Sequence, residues 1–174
     1  AADMSLYTDD YRSGERTFQL LTQAAGRAGR GDRPGEVVIQ TYDPEHYAIE
    51  ASAAQDYEAF YEKEIRYRSL MGYPPVENLM AVLAACEDEA LLEKACKYLK
   101  EYILRIKGQA QLNVIGPASP GVDKIKDIYR RVIYVKAPEY RTLVVLKDRM
   151  EQYIEINSGF QKMRIQFDFN PMNL

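Results

Sequence analysis

The stretch Gln23-Ala24-Ala25-Gly26-Arg27-Ala28-Gly29-Arg30 has the residue types and spacing that do chemistry. It fills every fixed position of a Q-x-x-G-R-x-G-R pattern, an accident expected in on the order of one chain in ten thousand from ordinary residue usage. Arg27 and Arg30 lie three apart, so on a helix they share a face, and two guanidinium forks there can grip the oxygens of one phosphate. Hydrolysis of a γ-phosphate spreads charge over those oxygens, and an arginine that reaches them in the transition state lowers the barrier. Gly26 and Gly29 cost helix stability, so a nucleotide or a facing domain is expected to approach the bare backbone closely there. The plainer reading of a bare G-R-x-G-R is a surface helix whose arginines pack on nearby acids; Gln23 in register weighs against it.

The remaining parts of a nucleotide site are missing from the sequence. It holds no G-x-x-x-x-G-K-[ST] loop to cradle phosphates and no DEAH-like carboxylate pair to hold Mg²⁺. The chain therefore reads as one half of an ATP site, inactive alone. Its start at Ala1-Ala2-Asp3-Met4, with periodic structure soon after, reads as a segment of something longer, without the basic and apolar run of a signal peptide.

The elements that must position these residues follow from periodicity. Phe18, Leu21, Ala24, Ala25 and Ala28 recur at helical spacing between Glu15 and Arg30, and Gly31 with Pro34-Gly35 closes that helix. Glu36–Tyr42 is β-branched and bounded by turn residues, which predicts a buried strand. Pro44 is placed to open the next helical stretch, two short helices or one broken one reaching Leu70. Tyr73-Pro74-Pro75 breaks the chain, since proline cannot continue a helix and restricts the residue before it. The expected organisation is thus residues 1–71, a linker at 72–78, and a second domain at 79–174. In the latter, strands at 79–86, 112–115, 128–136 and 163–169 alternate with helices at 89–107 and 139–156. That order predicts an α/β (α+β) chain whose second domain is a small split βαβ of the ferredoxin-like kind: two helices cover one sheet face, and the other face is free to bind.

Composition narrows the function classes. With 47% hydrophobic and 28% charged residues, the 174-residue chain is an ordinary globular sequence. A net charge of -3 means that any nucleic-acid contact needs a local basic patch or a more basic neighbour. Cys86 and Cys96 are too far apart for a metal knuckle and too few for a disulfide framework, which suits free thiols in a reducing cytoplasm. No apolar run is long enough to span a membrane.

The arginine motif resembles the sixth signature block of superfamily 2 helicases. Its flanks, Glu15–Thr22 and Gly35–Tyr42, together with Pro44–Ile49, Tyr73-Pro74-Pro75, Ile115-Gly116-Pro117 and Phe169-Asn170-Pro171, are similar to the primosomal protein N′ (PriA) helicase family over nearly the whole chain. The resemblance implies that residues 1–71 end a second RecA-like helicase lobe and that the parent unwinds DNA 3′ to 5′ at stalled forks, using ATP and Mg²⁺. It assigns Arg30 to the γ-phosphate and Arg27 as its companion. Gln23 becomes a link between nucleotide and DNA movements, with Gly26 and Gly29 beside the nucleotide. Zinc-binding cysteines would lie upstream, outside this chain. Forked or branched DNA, primosome proteins and the acidic tail of single-stranded-DNA-binding protein are the implied partners, the last helped by Arg141. Phe169-Asn170-Pro171 departs from the Val-Asp-Pro form common in the family.

A second group of residues suits phosphate contact. Lys124, Lys126, Arg130 and Arg131 cluster before the third strand with Tyr129 and Tyr134 interleaved, which fits a DNA backbone or, as plainly, a solvated loop. His46, the only histidine, follows Pro44 with no second ligand beside it and reads as a cap or packing residue. Tyr47, Tyr57, Tyr61, Tyr98, Tyr102 and Tyr153 sit at helical spacings that predict half-buried packing. The alternatives to a helicase segment are a non-catalytic DNA- or protein-binding module and a small-molecule enzyme; the latter lacks any convergent His, Cys or carboxylate pair.

Overall fold

The structure, a computed structural model, describes residues 2–8, 10–28 and 36–172. The chain divides into two compact units, Ala1–Met71 and Gly72–Leu174.

Helices build the first unit. α1 (Ser13–Ala28) has Glu15 in its first turn, where a carboxylate favours the helix dipole, and buries Phe18. α2 (Tyr47–Ala54) starts three residues after Pro44 because His46 is its cap: the Nδ1 atom accepts the Ala48 N–H at 3.1 Å. Gln55 ends α2 in the left-handed region (φ 53°), and α3 (Tyr57–Met71) follows. Two helices, not one broken helix, therefore form. Phe18 stacks on Phe60 at 4.3 Å between ring centroids, with Ala48 and Ala51 completing a small core.

The strand predicted for 36–42 is not there. These residues pair with no strand, and Val38 and Tyr42 are each 85% exposed. A strand needs a neighbour for its backbone groups, and the described residues of this unit supply none. What holds the segment is Asp3, whose carboxylate accepts the Tyr42 N–H at 2.7 Å, and the Ala2 N–H, which donates to the Gln40 carbonyl.

The second unit is an antiparallel sheet under two helices. Its elements are β1 (Asn78–Cys86), α4 (Glu89–Ile106), β2 (Asn113–Ala118), the short β3 (Lys124–Ile125), β4 (Ile128–Ala137), α5 (Tyr140–Ile156) and β5 (Arg164–Phe169). The strand order β2-β4-β1-β5, with β3 paired to β4 as a hairpin, is the split βαβ expected from the sequence. Met80, Val82, Ala84 and Cys86 on β1 and Ile133, Val135 and Ala137 on β4 face the helices. There they pack with Leu92, Leu99 and Ile103 of α4 and Leu143, Leu146 and Met150 of α5. Asp88 caps α4 by accepting the Leu91 N–H at 2.9 Å.

The opposite face is only partly free. At one end Leu79, Val132 and Lys136 are buried, and the Lys136 ammonium lies 3.8 Å from the centroid of the Tyr73 ring. The free part is the other end, around Ala85. Asn170 folds back on β1: its side-chain oxygen accepts the Leu79 N–H at 2.8 Å and its own N–H donates to the Leu79 carbonyl.

Gly116 tests the β2–β4 approach. Its φ is +99°, and a Cβ built on it would sit 2.6 Å from the Val132 carbonyl oxygen, a backbone atom that cannot swing away. Gly116→Ala is expected to cost about 2–3 kcal/mol, read as a lowered denaturant midpoint for the full chain. An unchanged midpoint would mean that β2 can be displaced without loss.

Candidate nucleotide and nucleic-acid sites

The described part of the arginine motif, Gln23–Ala28, occupies the free half of an anchored helix. At the anchored half, a Cβ on Gly14 would come 2.8 Å from both Glu64 Oε2 and Tyr47 Oη, so a side chain there would have to push these two groups aside. Next to it, Arg68 donates to Glu64 and to Glu15, each at 2.7 Å, and the Tyr47 hydroxyl donates to Glu64 at 2.6 Å. Burial opposes the Arg68 charge, but Glu15 and Glu64 outweigh it and hold the guanidinium above its ordinary pKa. Burial, then Glu64, raises the Tyr47 hydroxyl. Past Phe18 the helix emerges: Gln23, Gly26 and Arg27 are exposed. A Cβ on Gly26 would touch nothing, so no contact among the described residues requires glycine there. Gly29 and Arg30 lie outside the described residues.

In the second unit the expected basic cluster is divided. Lys124 pairs with Asp127 at 2.9 Å and lies 4.7 Å from the Tyr129 ring centroid. Tyr129 packs against the core on the helix side. Arg131, also on that side, is engaged by Glu93 and, at 2.8 Å, by Glu89 of α4; these two carboxylates raise its pKa, Glu93 foremost, against the opposing effect of burial. Neither Tyr129 nor Arg131 is thus available to DNA on the open face, because successive strand residues point to opposite faces. Lys126 and Arg130 are available. The structure adds Lys162 and Arg164, which line the same cleft as Lys126, Arg130, Gln166 and the hairpin residues. More than thirty residues separate them in sequence from the hairpin, and only the β1–β5 register brings them close.

Arg141 lines a groove of about 290 Å³ with Lys107 and Arg149 around Ile106, Leu112, Val145 and Leu146. Cys86 and Cys96 are free and buried, and burial, then Glu93, lifts the Cys96 thiol to about 11. No His/Cys/Asp/Glu group suited to a metal ion occurs among the described residues, and none of their helices is long and apolar enough to cross a membrane. Tyr61 and Tyr98, 51% and 49% exposed, are half-buried as expected, whereas Tyr57 is more open, at 62%.

Comparisons with known proteins agree with the resemblance. The family model described as primosomal protein N C-terminal domain matches residues 69–172. The chain is 35% identical to the replication restart protein PriA of Bacillus subtilis over 98% of its own length and 21% of that protein's. With the PriA of Synechocystis it shares 36% identity over 100% of the chain and 20% of the relative, and with that of Thermotoga maritima 36% over 79% and 18%. It thus spans about a fifth of the length of these relatives. A mixed helix and antiparallel-sheet unit in the matched region accords with this likeness, and the chain belongs to the family of the primosomal protein N C-terminal domain.

Proposed function

We propose that the chain is the C-terminal part of an ATP-driven 3′-to-5′ DNA helicase that restarts stalled replication forks and loads primosome proteins. The observation that carries this reading is the complete Q-x-x-G-R-x-G-R motif in the sequence, whose Gln23, Gly26 and Arg27 lie on the exposed half of a helix tied at its other half by the Glu15–Arg68 ion pair. A motif meant for a facing lobe needs both properties. Its guanidinium groups must be open to that lobe, and its axis must not drift, because misplacement by about 1 Å can cost on the order of a hundredfold in rate. Arg27 is open, with no ion pair among the described residues.

In this reading Arg30 reaches the γ-phosphate, Arg27 holds a neighbouring oxygen, and Gly26 and Gly29 keep the backbone low beside the nucleotide. Gln23, one turn before Arg27 on the same face, couples nucleotide to DNA. The phosphate loop, the Mg²⁺ ligands and the zinc cysteines belong to the preceding part of the parent, so the chain alone does not turn over. The exposed Val37 and Val38 of the 36–42 segment fit a strand completed by that part. In the intact protein, Arg30→Ala is expected to lower DNA-stimulated ATP hydrolysis about a thousandfold or more while DNA affinity stays within roughly twofold. Hydrolysis at the wild-type rate would remove Arg30 from the site.

The groove around Arg141 supports a second role, as a docking point for the acidic, apolar tail of single-stranded-DNA-binding protein. An apolar floor rimmed by Lys107, Arg141 and Arg149, three cations against the single carboxylate of Glu139, matches carboxylates followed by apolar side chains. A labelled peptide of that composition is expected to bind the full chain, and Arg141→Ala to weaken it about tenfold, the scale of one charge-assisted hydrogen bond. Equal binding by both proteins would move the tail elsewhere.

A further inference from the structure

Resting on the reading of the chain as part of a DNA helicase, we propose that the free end of the second unit's sheet is a cleft for a single-stranded nucleic-acid backbone, with Arg130 and Arg164 clamping phosphate across Ala85. In the sheet register Ala85 of β1 stands opposite Arg130 of β4 on one side and Arg164 of β5 on the other. Two strand spacings set their backbones about 10 Å apart. Both side chains share the face away from the helices, and the residue between them ends at a methyl group. A phosphate can therefore descend to the floor and be met from both sides by planar forks suited to paired oxygens.

The surroundings fit the same ligand. The cleft encloses about 760 Å³, and Lys126 from the hairpin turn and Lys162 from the approach to β5 line it with the two arginines. Glu87 and Asp88 also line it, and Asp88 is occupied in capping α4, so cations exceed carboxylates. Ile125 and Ile128 of the hairpin are 46% and 40% exposed beside these cations. Apolar side chains next to converging charge suit a strand whose bases are turned out, as base faces cover them while the backbone is neutralised. A duplex keeps its bases stacked inside and would touch only the rim.

The test uses the full chain and fluorescence anisotropy of a labelled thymidine oligonucleotide of roughly ten nucleotides, a length typical of single-strand sites, and of a duplex of equal length, at several salt concentrations. The single strand is expected to bind at least about tenfold tighter than the duplex. The Arg130→Ala/Arg164→Ala pair is expected to reduce the log-log salt slope by about 1.4, as two phosphates of the single strand are no longer neutralised. Ala85→Leu, which fills the floor without changing charge, is expected to weaken the single strand about tenfold, the scale of one charge-assisted hydrogen bond; if circular dichroism shows it unfolded, Lys162→Ala replaces it with a slope change of about 0.7. A duplex bound as tightly, or displacement of the oligonucleotide more readily by an acidic peptide than by unlabelled oligonucleotide, overturns the proposal. DNA binding untouched by the arginine pair sinks the clamp alone, whereas no binding to either DNA removes the DNA reading with it.

Discussion

β1 is hydrogen-bonded along both edges, to β4 and to β5, and this double pairing places everything else in the second unit. A strand so enclosed tolerates no register slip, because a shift by one residue would send Met80, Val82, Ala84 and Cys86 away from the helices and bring Leu79, Ala81, Leu83 and Ala85 into the core. The same register that buries one set of side chains therefore decides which cations meet on the other face. Arg130 and Arg131 are neighbours in sequence, yet one faces the cleft and the other is held by Glu89 and Glu93.

Arg131 shows how the structure divides its charges. Removing a guanidinium from water is expensive unless carboxylates meet it, and two glutamates on α4 do so. The pair ties α4 to β4 at the edge of the core. A residue committed in this way gives the sheet a fixed partner helix; its neighbour, left with the Val122 carbonyl at 3.4 Å, keeps its charge for something outside the chain.

The first unit uses the same device for a different end. Arg68, Glu64, Glu15 and Tyr47 join all three helices around the start of α1, and Gly14 allows them to come that close. The helix is thus rigid where it is buried and free where it carries Gln23 and Arg27. Glu64 and Arg68, four apart on one helix, are a pair that sequence spacing allows, but the tie to Glu15 could not be read from the sequence, because Glu15 and Arg68 are 53 positions apart and many other acids and bases compete for either.

Helices and the strand order of the second unit were legible in the sequence, since periods of 3.6 and two are local and the turn residues between them are strong. The Q-x-x-G-R-x-G-R motif was legible for a different reason: it is contiguous, so its spacing is its geometry. The strand expected at 36–42 failed because strand formation depends on a neighbour, which no local pattern supplies. Tyr57 is more exposed than its spacing suggested for the same reason, as helical spacing says that residues share a face but not how fully anything covers it. Residue types and local periodicity by themselves determined the helices, the strand order of the second unit and the arginine motif. Only the tertiary structure decided which charges are neutralised inside and which meet at the cleft, because ion pairing and cross-strand register act over distances in space that sequence separation does not encode.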